Sequence, residues 1–196
     1  PLTLVSLPER EYRCGLVEAV KHALIADAEY FSWIEENVRP LKQRQPAVLE
    51  SLIRRSVEIK AEIVGADETE QGRRAILNAG HTAGHALEHE SGYTMPHGEA
   101  VAVGLLIECA IAEERGIAEP GMRERMGTLL RRLGAPVQPP SVDGAGLIRR
   151  MRGDKKNRRG EIRCALPAAI GRMHRDGTQW TTAVSGEDFE RVLGAR

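Results

Sequence analysis

Five polar residues between positions 74 and 88 recur at steps of four, three, four and three: Arg74, Asn78, His81, His85 and Glu88. On an α-helix those steps stack side chains along one face. A solvated face is the plain alternative, but such faces favour Lys and Glu over Asn and paired His. The pattern therefore points to ligand or metal chemistry. Two histidines at i and i+4 can chelate one metal ion, as in the His-Glu-x-x-His zinc helix. Here Thr82 follows His81, so the base of that protease motif is missing and the motif does not apply. Gly80 and Gly84 each cost about 1 kcal/mol of helix stability relative to Ala. They make sense where a ligand or a neighbouring helix packs closely against this segment.

Other polar residues stand in apolar company. Ile53, Val57, Lys60 and Val64 form one stripe at helical spacing, which puts Lys60 among core positions. A lysine there either snorkels outward or meets an anion. Glu18 and Lys21 lie on the first long helix, where an ordinary intrahelical ion pair is the simple reading. His97 of His97-Gly98-Glu99 either caps the helix that follows or turns a ring nitrogen toward a metal. Lys155 and Lys156 sit in a Gly-flanked loop. His22, His89 and His174 gain no partner from spacing.

The elements that must position these residues are mostly helices. Ser6-Leu7-Pro8-Glu9 has the form of a capping box, and Leu16, Val20 and Leu24 continue one face up to Asp27. Asp27 is placed to cap a helix whose apolar face is Tyr30, Phe31, Ile34 and Val38. A long helix is expected over 46–64, with Gly65 ending it, and another from Arg73 to about His89. From Glu99 to Arg115 the chain is apolar nearly all round, the mark of a helix at the centre of a core. Helices over 122–133 and around 147–152 follow. Segments 161–166 and 172–184, with Asp176-Gly177 between them, read as a hairpin. Ser185 to Asp188 then cap a last short helix. The fold class is mainly α, multihelical, with a small β-hairpin near the C-terminus.

Composition narrows the function. Basic and acidic residues balance at 28 each, which argues against a dedicated nucleic-acid or anionic-membrane surface. The three cysteines are widely spaced and show no disulfide framework, so a reducing cytoplasm is expected. The longest apolar run, Ala100 to Ala112, contains Glu108 and is too short to span a bilayer.

Five segments, taken in order, resemble 3-dehydroquinate synthase. They are Leu7-Pro8-Glu9-Arg10-Glu11, Gly15-Leu16-Val17-Glu18-Ala19-Val20-Lys21, Leu77-Asn78-Ala79-Gly80-His81-Thr82-Ala83-Gly84-His85-Ala86-Leu87-Glu88, His97-Gly98-Glu99-Ala100-Val101-Ala102 and Asp154-Lys155-Lys156. The third is a specific signature. The resemblance implies the metal- and substrate-binding C-terminal domain of that fold over 1–196. It implies Glu18, His81 and His97 as ligands of Zn²⁺ or Co²⁺, which separates the two histidines that spacing alone would pair. His85 passes to substrate and proton handling, and Glu70 matches an active-site carboxylate. Lys21, Lys60 and Arg74 would bind carboxylate and hydroxyl oxygens. Asn78, His85 and one of Lys155 and Lys156 would hold phosphate.

The implied reaction cyclises 3-deoxy-arabino-heptulosonate 7-phosphate to 3-dehydroquinate with loss of phosphate. NAD⁺ transiently oxidises a ring hydroxyl, and members commonly form homodimers. The substrate is a phosphorylated sugar acid, whose charges suit Lys, Arg and amide donors. The family places a nucleotide-binding domain ahead of this region, and no Gly-x-Gly-x-x-Gly follows a strand here. The NAD-binding domain is therefore expected to be absent from the chain, and the chain to be inactive alone. The rivals are a sibling sugar-phosphate cyclase such as 2-deoxy-scyllo-inosose synthase, a metal-dependent alcohol dehydrogenase relative, and a metal-binding module without catalysis.

Overall fold

The computed structural model describes residues 2–69, 72–138, 144–153 and 161–194. Helix α1 (Leu2–Val5) leads into the long α2 (Glu9–Ala26), then α3 (Ala28–Glu36), α4 (Val38–Lys42) and α5 (Pro46–Gly65). A 3₁₀ turn, Arg73–Asn78, precedes α6 (His81–Glu90), α7 (His97–Glu114), α8 (Met122–Leu133) and α9 (Gly144–Arg152). Strands β1 (Ile162–Cys164), β2 (Pro167–Ala169), β3 (Arg172–Met173) and β4 (Thr182–Val184) come next, and α10 (Gly186–Gly194) follows them. The architecture is mainly α with a minor β element, as expected.

Helix α7 is the axis of the core. Residues 98 and 100–112 are all buried, because α2, α6, α8, α10 and β2 pack around it. Each fully buried Leu or Ile there contributes about 1.5–3 kcal/mol of apolar transfer. Its most extensive contact is with α6, and glycines allow that contact. A Cβ at Gly104 would stand 2.0 Å from the Gly80 carbonyl oxygen, and one at Gly84 would stand 3.3 Å from that of Ala100. The glycines therefore serve a neighbouring helix.

Local signals place several boundaries well. Asp27 accepts a hydrogen bond from the Tyr30 amide and caps α3. Gly134 ends α8 in the left-handed conformation, at φ 85°. Ser185 and Asp188 bond reciprocally across the first turn of α10. On α2, Leu16, Val20 and Leu24 are buried together.

Four expectations are corrected. Residues 73–90 are not one helix: Gly80 takes φ 77° and separates the 3₁₀ turn from α6. Arg74 and Asn78 therefore do not share a helical face with His81 and His85. Ser6 does not cap α2; its hydroxyl donates to the Thr3 carbonyl, and Pro8 occupies the cap position. On α5 the buried stripe is Leu49, Leu52, Ile59 and Ile63, so Val57 and Lys60 face outward. Finally, the β element is two nested ladders. β1 pairs antiparallel with β4 and encloses the hairpin of β2 and β3, which turns at Gly171. Asp176 and Gln179 form a separate bridge.

Candidate functional site

Three helices deliver the trio Glu18, His81 and His97. Glu18 lies midway along α2, while His81 and His97 are the first residues of α6 and α7. Since α2 and α6 both pack on α7, the three side chains converge. Glu18 Oε1 lies 3.4 Å from His97 Nε2 and 3.7 Å from His81 Nε2. The two imidazole centroids are 5.1 Å apart. One donor atom from each residue falls within 4.8 Å of the other two.

The electrostatics suit a cation. Burial raises the Glu18 carboxyl, but the Lys21 ammonium outweighs it and holds the group below the usual carboxylate range. Lys21 itself is buried and donates to Glu18 Oε2 at 2.6 Å. That leaves Oε1, which is buried and makes no hydrogen bond among the described residues. Buried carboxylate oxygens are ordinarily satisfied. Burial and the Lys21 charge push His81 down to about 4, so its ring is neutral at pH 7 and keeps a lone pair for a metal. Its Nδ1 lies 3.0 Å from the Ala79 carbonyl, which fixes the tautomer that leaves Nε2 free. The unsatisfied Oε1 and the carboxylate–imidazole donor set fit Zn²⁺ or Co²⁺ with open positions for further oxygen ligands.

Four other expected site residues, His85, Arg74, Asn78 and Lys60, lie within the described residues. His85 is exposed one turn along α6, its ring centroid 5.3 Å from that of His81 and 5.9 Å from that of His97. Arg74 donates to the Glu68 carbonyl, and its own amide is held by Asp67. Asn78 is half-buried at the end of the 3₁₀ turn. Lys60 is exposed on α5, close enough to act on His22. Burial and the Lys21 charge, with Lys60 adding to them, push His22 down to about 4. Glu70, Lys155 and Lys156 lie outside the described residues.

Two carboxylates gain partners that residue types and spacing left open, although Glu88 already stood on the polar face that spacing singled out. Glu88 approaches His97 Nδ1 at 3.3 Å with both oxygens, the side of the ring away from Glu18. Its signal was its place seven residues after His81 on the same helix. Glu108 is buried in the middle of α7, and its signal was a lone acid inside an apolar run. A second group of metal-binding types, His85, Glu88 and His97, shares His97 with the trio.

Comparison with known proteins is consistent across three lines. A family model described as 3-dehydroquinate synthase C-terminal matches residues 15–157. The 3-dehydroquinate synthase of Thermodesulfovibrio yellowstonii is 39% identical over 193 residues, covering 97% of this chain and 52% of that protein. That of Shewanella sp. (strain MR-4) is 44% identical over 171 residues, covering 86% of this chain and 48% of that protein. The chain thus spans about half the length of the curated relatives it matches. Among solved structures, 2-epi-5-epi-valiolone synthase from Streptomyces hygroscopicus subsp. jinggangensis, with NAD⁺ and Zn²⁺ bound, aligns with TM-score 0.85 at 27% identity. That alignment covers 98% of this chain and 52% of the other. A 2-deoxy-scyllo-inosose synthase complexed with carbaglucose-6-phosphate, NAD⁺ and Co²⁺ shares the fold, with TM-score 0.86 at 24% identity, over 96% of this chain and 52% of that one. Sequence, family match and fold agree, and the chain belongs to the 3-dehydroquinate synthase C-terminal family.

Proposed function

We propose that this chain is the metal- and substrate-binding half of a 3-dehydroquinate synthase, with 3-deoxy-arabino-heptulosonate 7-phosphate as its substrate. The observation that carries the reading is the convergence of Glu18, His81 and His97 around an unsatisfied, buried Glu18 Oε1. Identities of 39% and 44% to two 3-dehydroquinate synthases support this substrate over those of sibling cyclases.

Glu18, His81 and His97 would hold Zn²⁺ or Co²⁺, which supplies Lewis acidity toward substrate oxygens. NAD⁺, carried mainly by a domain outside this chain, supplies the oxidation and the later reduction. The protein's own groups then do the rest. Lys21 donates to Glu18 Oε2 and keeps the carboxylate ionised. Glu88 fixes the His97 ring, so that Nε2 faces Glu18. His85, exposed beside both ligand histidines, takes the role of phosphate contact and proton carrier. Arg74, Asn78, Lys60 and a lysine of the 155–156 pair are assigned to the substrate's anionic groups, with Glu70 as a further active-site carboxylate.

The three free cysteines support a reducing, cytoplasmic setting. Among the described residues, no helix is long and apolar enough to cross a membrane. A homodimer is the expected assembly, by family likeness.

The test is zinc-dependent binding of a non-reacting substrate analogue to the purified chain, followed by calorimetry. Binding that needs both zinc and the analogue's phosphate supports the reading. Zinc binding with no response to the analogue would favour a metal-binding module. Turnover by the chain alone, with NAD⁺ added, would overturn the assignment of NAD⁺ to a domain outside it.

A further inference from the structure

Glu108 is an anomaly in α7: it is 1% exposed and stands among residues that are otherwise small or apolar. A carboxyl group in such surroundings needs a partner that repays its desolvation. Its Oε2 accepts a hydrogen bond from the Gly80 amide at 2.6 Å. That amide belongs to the turn between the 3₁₀ segment and α6, where neither element supplies an acceptor for it. A buried backbone amide must be paired, and here a side chain 28 residues away does so.

The turn held in this way is the one that presents His81. Gly80 takes φ 77°, and His81 follows it as the first residue of α6. The Ala79 carbonyl, on the other side of Gly80, lies 3.0 Å from His81 Nδ1 and sets the ring's orientation. From α7, Gly104 abuts the Gly80 carbonyl, so the turn is gripped at its amide by Glu108 and at its carbonyl by Gly104. Metal ligands need this sort of support to keep their donor atoms in place.

We propose that Glu108 is a positioning residue for the metal centre: by holding the Gly80 amide it fixes the Ala79–His81 turn and aims the His81 imidazole at Glu18 and His97. The inference rests on the metal reading above. It assigns a task to a residue that touches neither metal nor substrate. Burial pushes the Glu108 carboxyl up to about 8 against the pull of the Gly80 and Thr82 amides. A glutamine matches the group in shape and keeps an acceptor oxygen for the Gly80 amide.

Zinc affinity, measured by competition with a chromophoric chelator, and the visible spectrum of the Co²⁺-loaded chain test the proposal. Glu108→Gln is expected to keep zinc affinity within about twofold of the unmodified chain and to leave the cobalt bands unchanged. Glu108→Leu is expected to weaken zinc about 10–100-fold, the range for loss of a ligand's supporting partner, and to move the bands. Glu108→Asp keeps the acid but falls one methylene short of Gly80; about tenfold weaker binding is expected, and it decides the matter should the leucine variant not fold. Wild-type affinity and spectrum in the Asp or Leu variant, or a Gln variant as weak as those two, would overturn the positioning role. A chain that binds no zinc even when unmodified would sink the metal reading instead.

Discussion

His97 Nδ1 lies 3.3 Å from both carboxylate oxygens of Glu88, while the Nε2 of the same ring lies 3.4 Å from Glu18 Oε1. One imidazole thus bridges two acids, and a proton held on Nδ1 leaves Nε2 as the donor for a metal. Carboxylate partners of this kind orient ligand histidines and raise their basicity. Glu88→Ala is expected to weaken zinc binding by about 10–100-fold, with little change in melting temperature. Unchanged zinc affinity would show that the contact is incidental.

Direct ligands should matter more than their supports. Glu18→Ala, His81→Ala and His97→Ala are each expected to reduce zinc affinity beyond the roughly 100-fold upper range for a supporting partner. His85→Ala should leave it nearly unchanged, because His85 is assigned to substrate. Metal analysis after dialysis, at one zinc per chain for the unmodified protein, separates these outcomes.

Stability should respond to glycines according to their surroundings. Gly104→Ala drives a Cβ to 2.0 Å from the Gly80 carbonyl, where neither α6 nor α7 can yield easily. A loss of about 3 kcal/mol or more is expected in denaturant unfolding. A Cβ at Gly15, inside α2, would meet nothing within 4 Å, so Gly15→Ala should gain roughly 0.5–1 kcal/mol. Similar effects at the two positions would contradict the close α6–α7 contact.

Acid should loosen the C-terminal end through Asp188. This carboxyl is buried, which raises it, yet hydrogen bonds from Arg115 and Ser185 bring it down to about 2. Its folded value therefore lies below the unfolded value of about 3.9. The stabilisation, on the order of 2 kcal/mol, is fully present above about pH 4 and is lost as pH falls toward 2. Asp188→Asn should lower stability at pH 7 and flatten the decline between pH 4 and 2. A parallel acid limb in the variant would rule Asp188 out as its source.

Much of the fold is written in local chemistry. Asp27 is a cap because its own side chain reaches the Tyr30 amide, and Gly134 ends α8 because glycine tolerates positive φ. The near-continuous apolar character of 100–112 requires burial on every side, whatever surrounds it. The segments around Glu18, His81 and His97 also carried the family resemblance, so the residue types of the site were visible before any geometry.

Periodicity alone could not choose between faces or joints. On α5, the stripes Ile53-Val57-Lys60-Val64 and Leu49-Leu52-Ile59-Ile63 are both helical; packing against α2 decides which is inside. Residues 73–90 keep a helical spacing throughout, but α7 holds Gly80 at φ 77° from both sides and splits the segment. The spacing of His81 and His85 suggests a chelating pair, whereas the structure sets His81 beside Glu18 and His97 from other helices. Sequence by itself determined most of the helices, caps such as Asp27 and the kinds of side chain available for chemistry, since those depend on neighbours a few residues away. Only the tertiary structure decided which donors meet and which carboxylates support them, because those distances depend on how α2, α6 and α7 pack together.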